Sequence, residues 1–179
     1  MIGPKFESEK SDLLKRLALS KITRKQFVDS LPDENRNDPQ FAEKMLVNAR
    51  KNRDILDVEF GLALARSPGA NFPVNIETLC DLLFDDWHYS HEDIAFFLAE
   101  LHPPEAVDCL ERAATIQYPY LDYDETFQFA RKCIKALSAI GNENAIRALG
   151  GLAQNQNEVI RGYAIKELRR KDANSPSDL

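Results

Sequence analysis

Apolar residues along the chain recur at intervals of three and four, with almost no strict alternation, so the pattern predicts helices and no sheet. Leu13, Leu14, Leu17 and Ala18 form a short amphipathic run, and Ile22, Phe27, Val28 and Leu31 form a second. The polar segment from Pro32 to Pro39, PDENRNDP, reads as a turn. After it, Phe41, Met45, Leu46 and Ala49 lead into Ile55, Val58, Leu62 and Ala65, with punctuation near Asn52, as a helix pair or one bent helix. The segment Ser67 to Pro73, SPGANFP, is the clearest break, and Pro119 marks another.

The helical pattern repeats. Leu98, Leu101, Ala106, Val107 and Leu110 reappear thirty-nine places later as Leu137, Ile140, Ala145, Ile146 and Leu149. Each set ends one helix, turns tightly and starts another. A second echo relates Ile134 and Leu137 of CIKAL to Ile165 and Leu168 of AIKEL at a spacing of thirty-one. A repeated helix pair of this size is the signature of an α-solenoid, in which each unit buries its apolar face against its neighbours. A four-helix-type bundle is the competing arrangement.

The segment Gly141 to Lys171, GNENAIRALGGLAQNQNEVIRGYAIKELRRK, resembles a bacterial HEAT repeat. It has a short polar turn, an Ala-Ile-x-x-Leu first helix, an Asn-rich turn and a Val-x-Arg second helix with small residues at the packing positions. The resemblance is strongest over residues 103–171. It implies an all-α single domain spanning 1–179, an α-solenoid of about four HEAT-like helix pairs at 39–66, 73–101, 103–140 and 142–170. Residues 8–31 would form an N-terminal helical cap and 172–179 a disordered tail. In such a stack the first helices lie mainly on the convex side and the second helices on the concave side. HEAT-like proteins generally bind other macromolecules, although a fold alone does not fix function.

Charge changes the picture in the middle of the chain. From Asn75 to Glu125 there are thirteen acidic residues against Arg112 alone, within an overall charge of −6. Such a block repels phosphates and attracts cations or basic proteins. Inside it, LFDDWHYSHED from Leu83 to Asp93 gathers two histidines, four carboxylates and the lone tryptophan. Ser90 as N-cap with Asp93 at N3 predicts a capping box, and Tyr89 with Ile94 a hydrophobic staple. His88 and His91 have no third histidine or cysteine nearby, which disfavours a metal site. His102 precedes Pro103 at a helix end and reads as a capping or surface residue. The parallel run YPYLDYDE, Tyr118 to Glu125, occupies the corresponding loop of the next pair, where Asp122 and Glu125 form a helix-start pattern. If equivalent loops align on one edge, Trp87, Tyr89, Tyr118, Tyr120 and Tyr123 share a ridge with Asp85, Asp86, Glu92, Asp122 and Asp124. Aromatic anchors within a charged rim are the composition of a protein interface.

Other functional classes lack their parts. No Gly-rich phosphate loop, Gly-x-Ser-x-Gly turn or paired-cysteine motif is present, and there are three histidines in all. Cys80, Cys109 and Cys133 are odd in number, widely spaced and set in apolar periodic segments, so they read as small buried hydrophobes, not as a disulfide set or a zinc site. Some HEAT-like proteins are DNA glycosylases and others bilin lyases. A glycosylase needs a basic groove, which the acidic centre opposes, although Arg131, Lys132, Lys135, Arg161, Lys166, Arg169 and Arg170 gather toward the C-terminus. The N-terminus has no apolar run suited to secretion, and no stretch approaches the roughly 18 apolar residues of a membrane span. The expectation is a non-catalytic, cytoplasmic, monomeric protein without cofactor or metal. Its acidic, aromatic centre would bind a basic protein, as an immunity protein neutralises a toxin domain, or as an adaptor or assembly scaffold serves another complex.

Overall fold

The computed structural model describes residues 4–69, 71–121 and 125–174, and every regular element among them is helical. Two compact units divide the chain, Met1–Thr78 and Leu79–Leu179, where one continuous repeat domain was expected. The division falls inside the 73–101 pair, whose first helix is short and follows an irregular stretch at 71–75.

The first unit contains α1 (Pro4–Ala18), α2 (Arg24–Asp29), α3 (Asp33–Arg36), α4 (Phe41–Asn52), α5 (Ile55–Ala65) and the start of α6 (Ile76–Leu82). Thr23 caps α2 through a full capping box with Gln26. The polar segment read as a turn contains α3, a single helical turn with Asp33 and Glu34 at its electropositive N-terminal end. Arg53, left-handed at φ 54°, ends α4, and Asp54 caps α5 by accepting the Asp57 N–H at 3.1 Å. The chain therefore forms a pair here and not one bent helix. A Cβ at Gly61 would lie 2.7 Å from a Leu46 methyl, so glycine is what lets α5 approach α4 this closely. The core joins Phe27, Leu31, Phe41, Met45, Phe60 and Leu64, with the Phe27 and Phe60 rings 4.8 Å apart. Beside it Lys10 and Asp57 form a buried ion pair. The Glu43 carboxylate accepts from the Asn75 backbone N–H at 2.9 Å and the Thr78 hydroxyl at 2.7 Å, holding the start of α6 to α4.

The second unit continues α6 and adds α7 (His91–Leu101), α8 (Val107–Ala113), α9 (Gln128–Ile140), α10 (Glu143–Leu152) and α11 (Glu158–Asn174). Short 3-10 turns lie at Pro104–Ala106 and Pro119–Leu121. α9 lies between α7 and α11, while α8 packs on α9 and α10, so α7, α9 and α11 form one layer and α8 and α10 the other. The thirty-nine-residue echo is structural as well as sequential. His102 and Gly141 both end their helices in the left-handed conformation, donating to Leu98 O at 3.1 Å and Leu137 O at 3.0 Å. Gly141 bears φ 64° at no steric cost. Ala106, Leu110, Ala145 and Leu149 are fully buried at matching positions, whereas Leu101 and Ile146 are exposed. α11 runs to Asn174, so helix continues into the stretch 172–174 that was expected to be tail.

Contrary to the expectation of three unpaired buried cysteines, two of them are bonded to each other. Cys80 of α6 and Cys109 of α8 are joined in a disulfide, with their Cα atoms 5.7 Å apart. Tertiary packing brings together two residues whose separation of 29 in sequence carries no pairing signal. Cys133 is the buried free thiol that its apolar setting implied, and burial raises its pKa.

Candidate functional site

The segment between α6 and α7 is organised by its histidines. His88 and His91 are both fully buried, and their rings stack with centroids 4.3 Å apart. The Ser90 N–H donates to His88 Nδ1 at 3.1 Å, so that nitrogen carries no proton, and Nε2–H is left to donate to Leu82 O at 2.9 Å. His91 follows the same logic. Its Nε2 lies 2.8 Å from Asp85 O, a carbonyl that can only accept, so Nδ1 is the acceptor for the Tyr120 hydroxyl at 2.8 Å.

Burial, and then the neighbouring His88, push the His91 imidazole down to about 4; burial also lowers His88. Two neutral rings can stack where two imidazolium ions would repel. All four ring nitrogens are engaged, which leaves none facing a metal or a solvent-borne substrate. Among the described residues no three His, Cys, Asp or Glu side chains converge to hold a metal ion.

This arrangement replaces the predicted capping box. Ser90 is the N-cap of α7, but its side chain makes no capping bond, and its ψ of 12° lies outside the extended range that usually aims an N-cap oxygen. Nor does Tyr89 form a staple with buried Ile94. Tyr89 is 60% exposed, and its ring meets Tyr120 edge-on at 5.1 Å. The helix start is held from behind, by imidazoles bonded to carbonyls six residues upstream.

The expected ridge residues occupy different depths. Tyr118 is buried, stacked on His91 at 3.8 Å, and donates its hydroxyl to Leu83 O, so it belongs to the packing. Tyr120 is half-buried and lies 5.6 Å from His91. Tyr89 and Asp86 face solvent, while Trp87 and Asp85 are half-buried, with Trp87 edge-on to His88 at 5.0 Å. Glu92, also half-buried, is ion-paired with Lys132 of α9 at 2.6 Å. Asp122, Tyr123 and Asp124 lie outside the described residues. The two segments thus meet through Tyr89, Tyr118 and Tyr120.

Glu125 sits in a turn ahead of α9 and does not start that helix. Left-handed Phe127 is the N-cap, without a side-chain capping bond. Arg112, the basic residue of the acidic block, stacks its guanidinium over Phe84 at 4.6 Å. His88 and His91, weighed from sequence only as metal ligands, are instead the residues that organise the segment through their hydrogen bonds. The available signal was an H-x-x-H spacing beside tyrosines, which serves hydrogen bonding as well as metal ligation.

Compared with protein-family models, curated proteins and solved structures, the chain matches none. No helix among the described residues is long and apolar enough to cross a membrane.

Proposed function

We propose that the second unit is a HEAT-like stack whose acidic, aromatic loop edge binds a basic protein partner without catalysis. The observation that carries this reading is the exposed Tyr89 with half-buried Trp87 and Tyr120, set beside Asp85 and Asp86 on a scaffold fixed by the histidine stack. Rigid aromatic rings in a charged rim give contact area at low entropic cost, and the carboxylates speed capture of a basic surface. The two-layer packing of α7 to α11 supports the solenoid part of the proposal.

Its most specific form is an immunity protein that covers the basic active site of a cognate toxin, with an adaptor or assembly scaffold as the second reading. Cytoplasmic residence belongs to the same proposal and requires Cys80 and Cys109 to be reduced there, since cytosolic thiol systems oppose stable disulfides. Alkylation of the protein in freshly lysed host cells, followed by mass spectrometry, reads that state directly. Co-expression with the product of the neighbouring open reading frame tests immunity: rescue of growth supports it, and a non-toxic neighbour that nevertheless co-purifies favours the scaffold.

A further inference from the structure

The layer of second helices carries a cavity of about 750 Å³ between α7, α9 and α11, within the size range of small-molecule sites, roughly 300–1,000 Å³. Its apolar wall is Phe96, Ala99 and Ala139, and Phe96 leaves 46% of its surface exposed. Lys132, Lys135, Arg170 and Lys171 also line it, with Glu167 as the one carboxylate in the lining.

Much of this charge is already committed. Lys132 pairs with Glu92, while buried Glu167 accepts from the Ser138 hydroxyl at 3.0 Å and lies 3.6 Å from Arg170. Lys171 reaches toward Gly141, where an added Cβ would collide with its ammonium. Lys135 is exposed and has no acidic partner among the described residues. Arg170 contacts Glu167 at the long end of ion-pair distance and is 71% exposed, so its guanidinium keeps donors to offer.

Residues 79–179 hold seventeen acidic and ten basic side chains, a net −7, so the charge of the unit as a whole disfavours a long polyanion. A short ligand avoids that repulsion, and a concave site of one sign concentrates the opposite charge.

We propose that this cavity binds a small amphipathic organic anion, its apolar body against Phe96, Ala99 and Ala139 and its anionic head between Lys135 and Arg170. The site is separate from the acidic loop edge and does not depend on that edge binding a protein.

The test is a fluorescence titration of the full chain with anilinonaphthalene sulfonate, an apolar bicycle bearing one sulfonate, with amide NMR shifts to locate it. Saturable one-to-one binding is expected, with shifts at Ala99, Lys135 and Ala139. Lys135→Glu and Arg170→Glu should each weaken it by about tenfold or more, because like charges would then face the head group. Lys135→Arg should retain it, and decanoate should compete while dodecyltrimethylammonium should not. Circular dichroism checks that the variants fold; the Lys135→Glu comparison needs only an exposed position and so survives a fold defect in Arg170→Glu. Equal affinity of folded Lys135→Glu, shifts confined to other helices, or competition by the cationic amphiphile would overturn the proposal. Tighter binding of an acidic peptide or an oligonucleotide than of any small anion would overturn it too.

Discussion

Both units bury ionisable side chains, and they do so in opposite ways. The first encloses Lys10 and Asp57 as a charged pair beside an apolar core of phenylalanines and aliphatic residues. The second encloses His88 and His91 as neutral rings in an aromatic stack, each held by hydrogen bonds to backbone carbonyls. A paired charge offsets its desolvation only while its partner stays, whereas a neutral imidazole avoids that cost until acid forces a proton on it. The first arrangement is therefore vulnerable to mutation and the second to pH.

The largest predicted effect breaks the ion pair. Asp57→Ala removes the carboxylate paired with the buried Lys10 ammonium and should cost the first unit about 3–5 kcal/mol, read by urea unfolding with probes in that unit. Replacing both residues, Lys10→Met with Asp57→Leu, should recover part of the loss.

Acid supplies the next effect. His91 in the folded chain holds its pKa near 4, below the ordinary 6.5, so between these values the unfolded chain binds a proton that the folded chain refuses. Stability is then fully present above pH 6.5 and falls as pH drops toward 4. At about 1.4 kcal/mol per pKa unit the loss approaches roughly 3 kcal/mol. Hydrogen exchange of α7 and α9 amides across this range measures it.

His91→Phe sharpens the comparison by removing the titrating ring. It removes the His91 hydrogen bonds to the Asp85 carbonyl and the Tyr120 hydroxyl, so it should cost about 1–3 kcal/mol at neutral pH while flattening much of the acid response. An unchanged acid slope would assign the response to other groups. The smallest effect provides the scale: Asn142→Ala removes the cap that accepts the Ala145 N–H at 2.8 Å and should cost about 1 kcal/mol at any of these pH values.

Local periodicity made the helices legible, and the fit is best where burial is one-sided. Ala106, Leu110, Ala145 and Leu149 could be placed from spacing because each faces a neighbouring helix. What stayed hidden depends on groups distant in sequence. Cys80 meets Cys109 only once α6 and α8 are packed, and Asp57 looks like an ordinary first-turn acid until Lys10 arrives from α1. At the candidate site Tyr89 meets Tyr120, but the depth of each ring could not be read from the sequence. Tyr118 and Tyr120 are two residues apart with similar composition around them, yet one is buried and the other reaches the surface. Ser90 and Asp93 carried the letters of a capping box, but the imidazole of His88 had already claimed the Ser90 amide.

The central claim is that the exposed aromatic and acidic edge of the second unit recognises a basic protein. The direct measurement is affinity for the protein co-purifying from the native host, compared between wild type and the Tyr89→Ala, Asp86→Lys double variant. Both side chains face solvent, so the fold should survive. The account predicts a basic partner whose affinity falls by about a hundredfold, as loss of an aromatic anchor and reversal of a rim charge would give. An acidic partner, or a basic one bound equally well by the double variant, would contradict it.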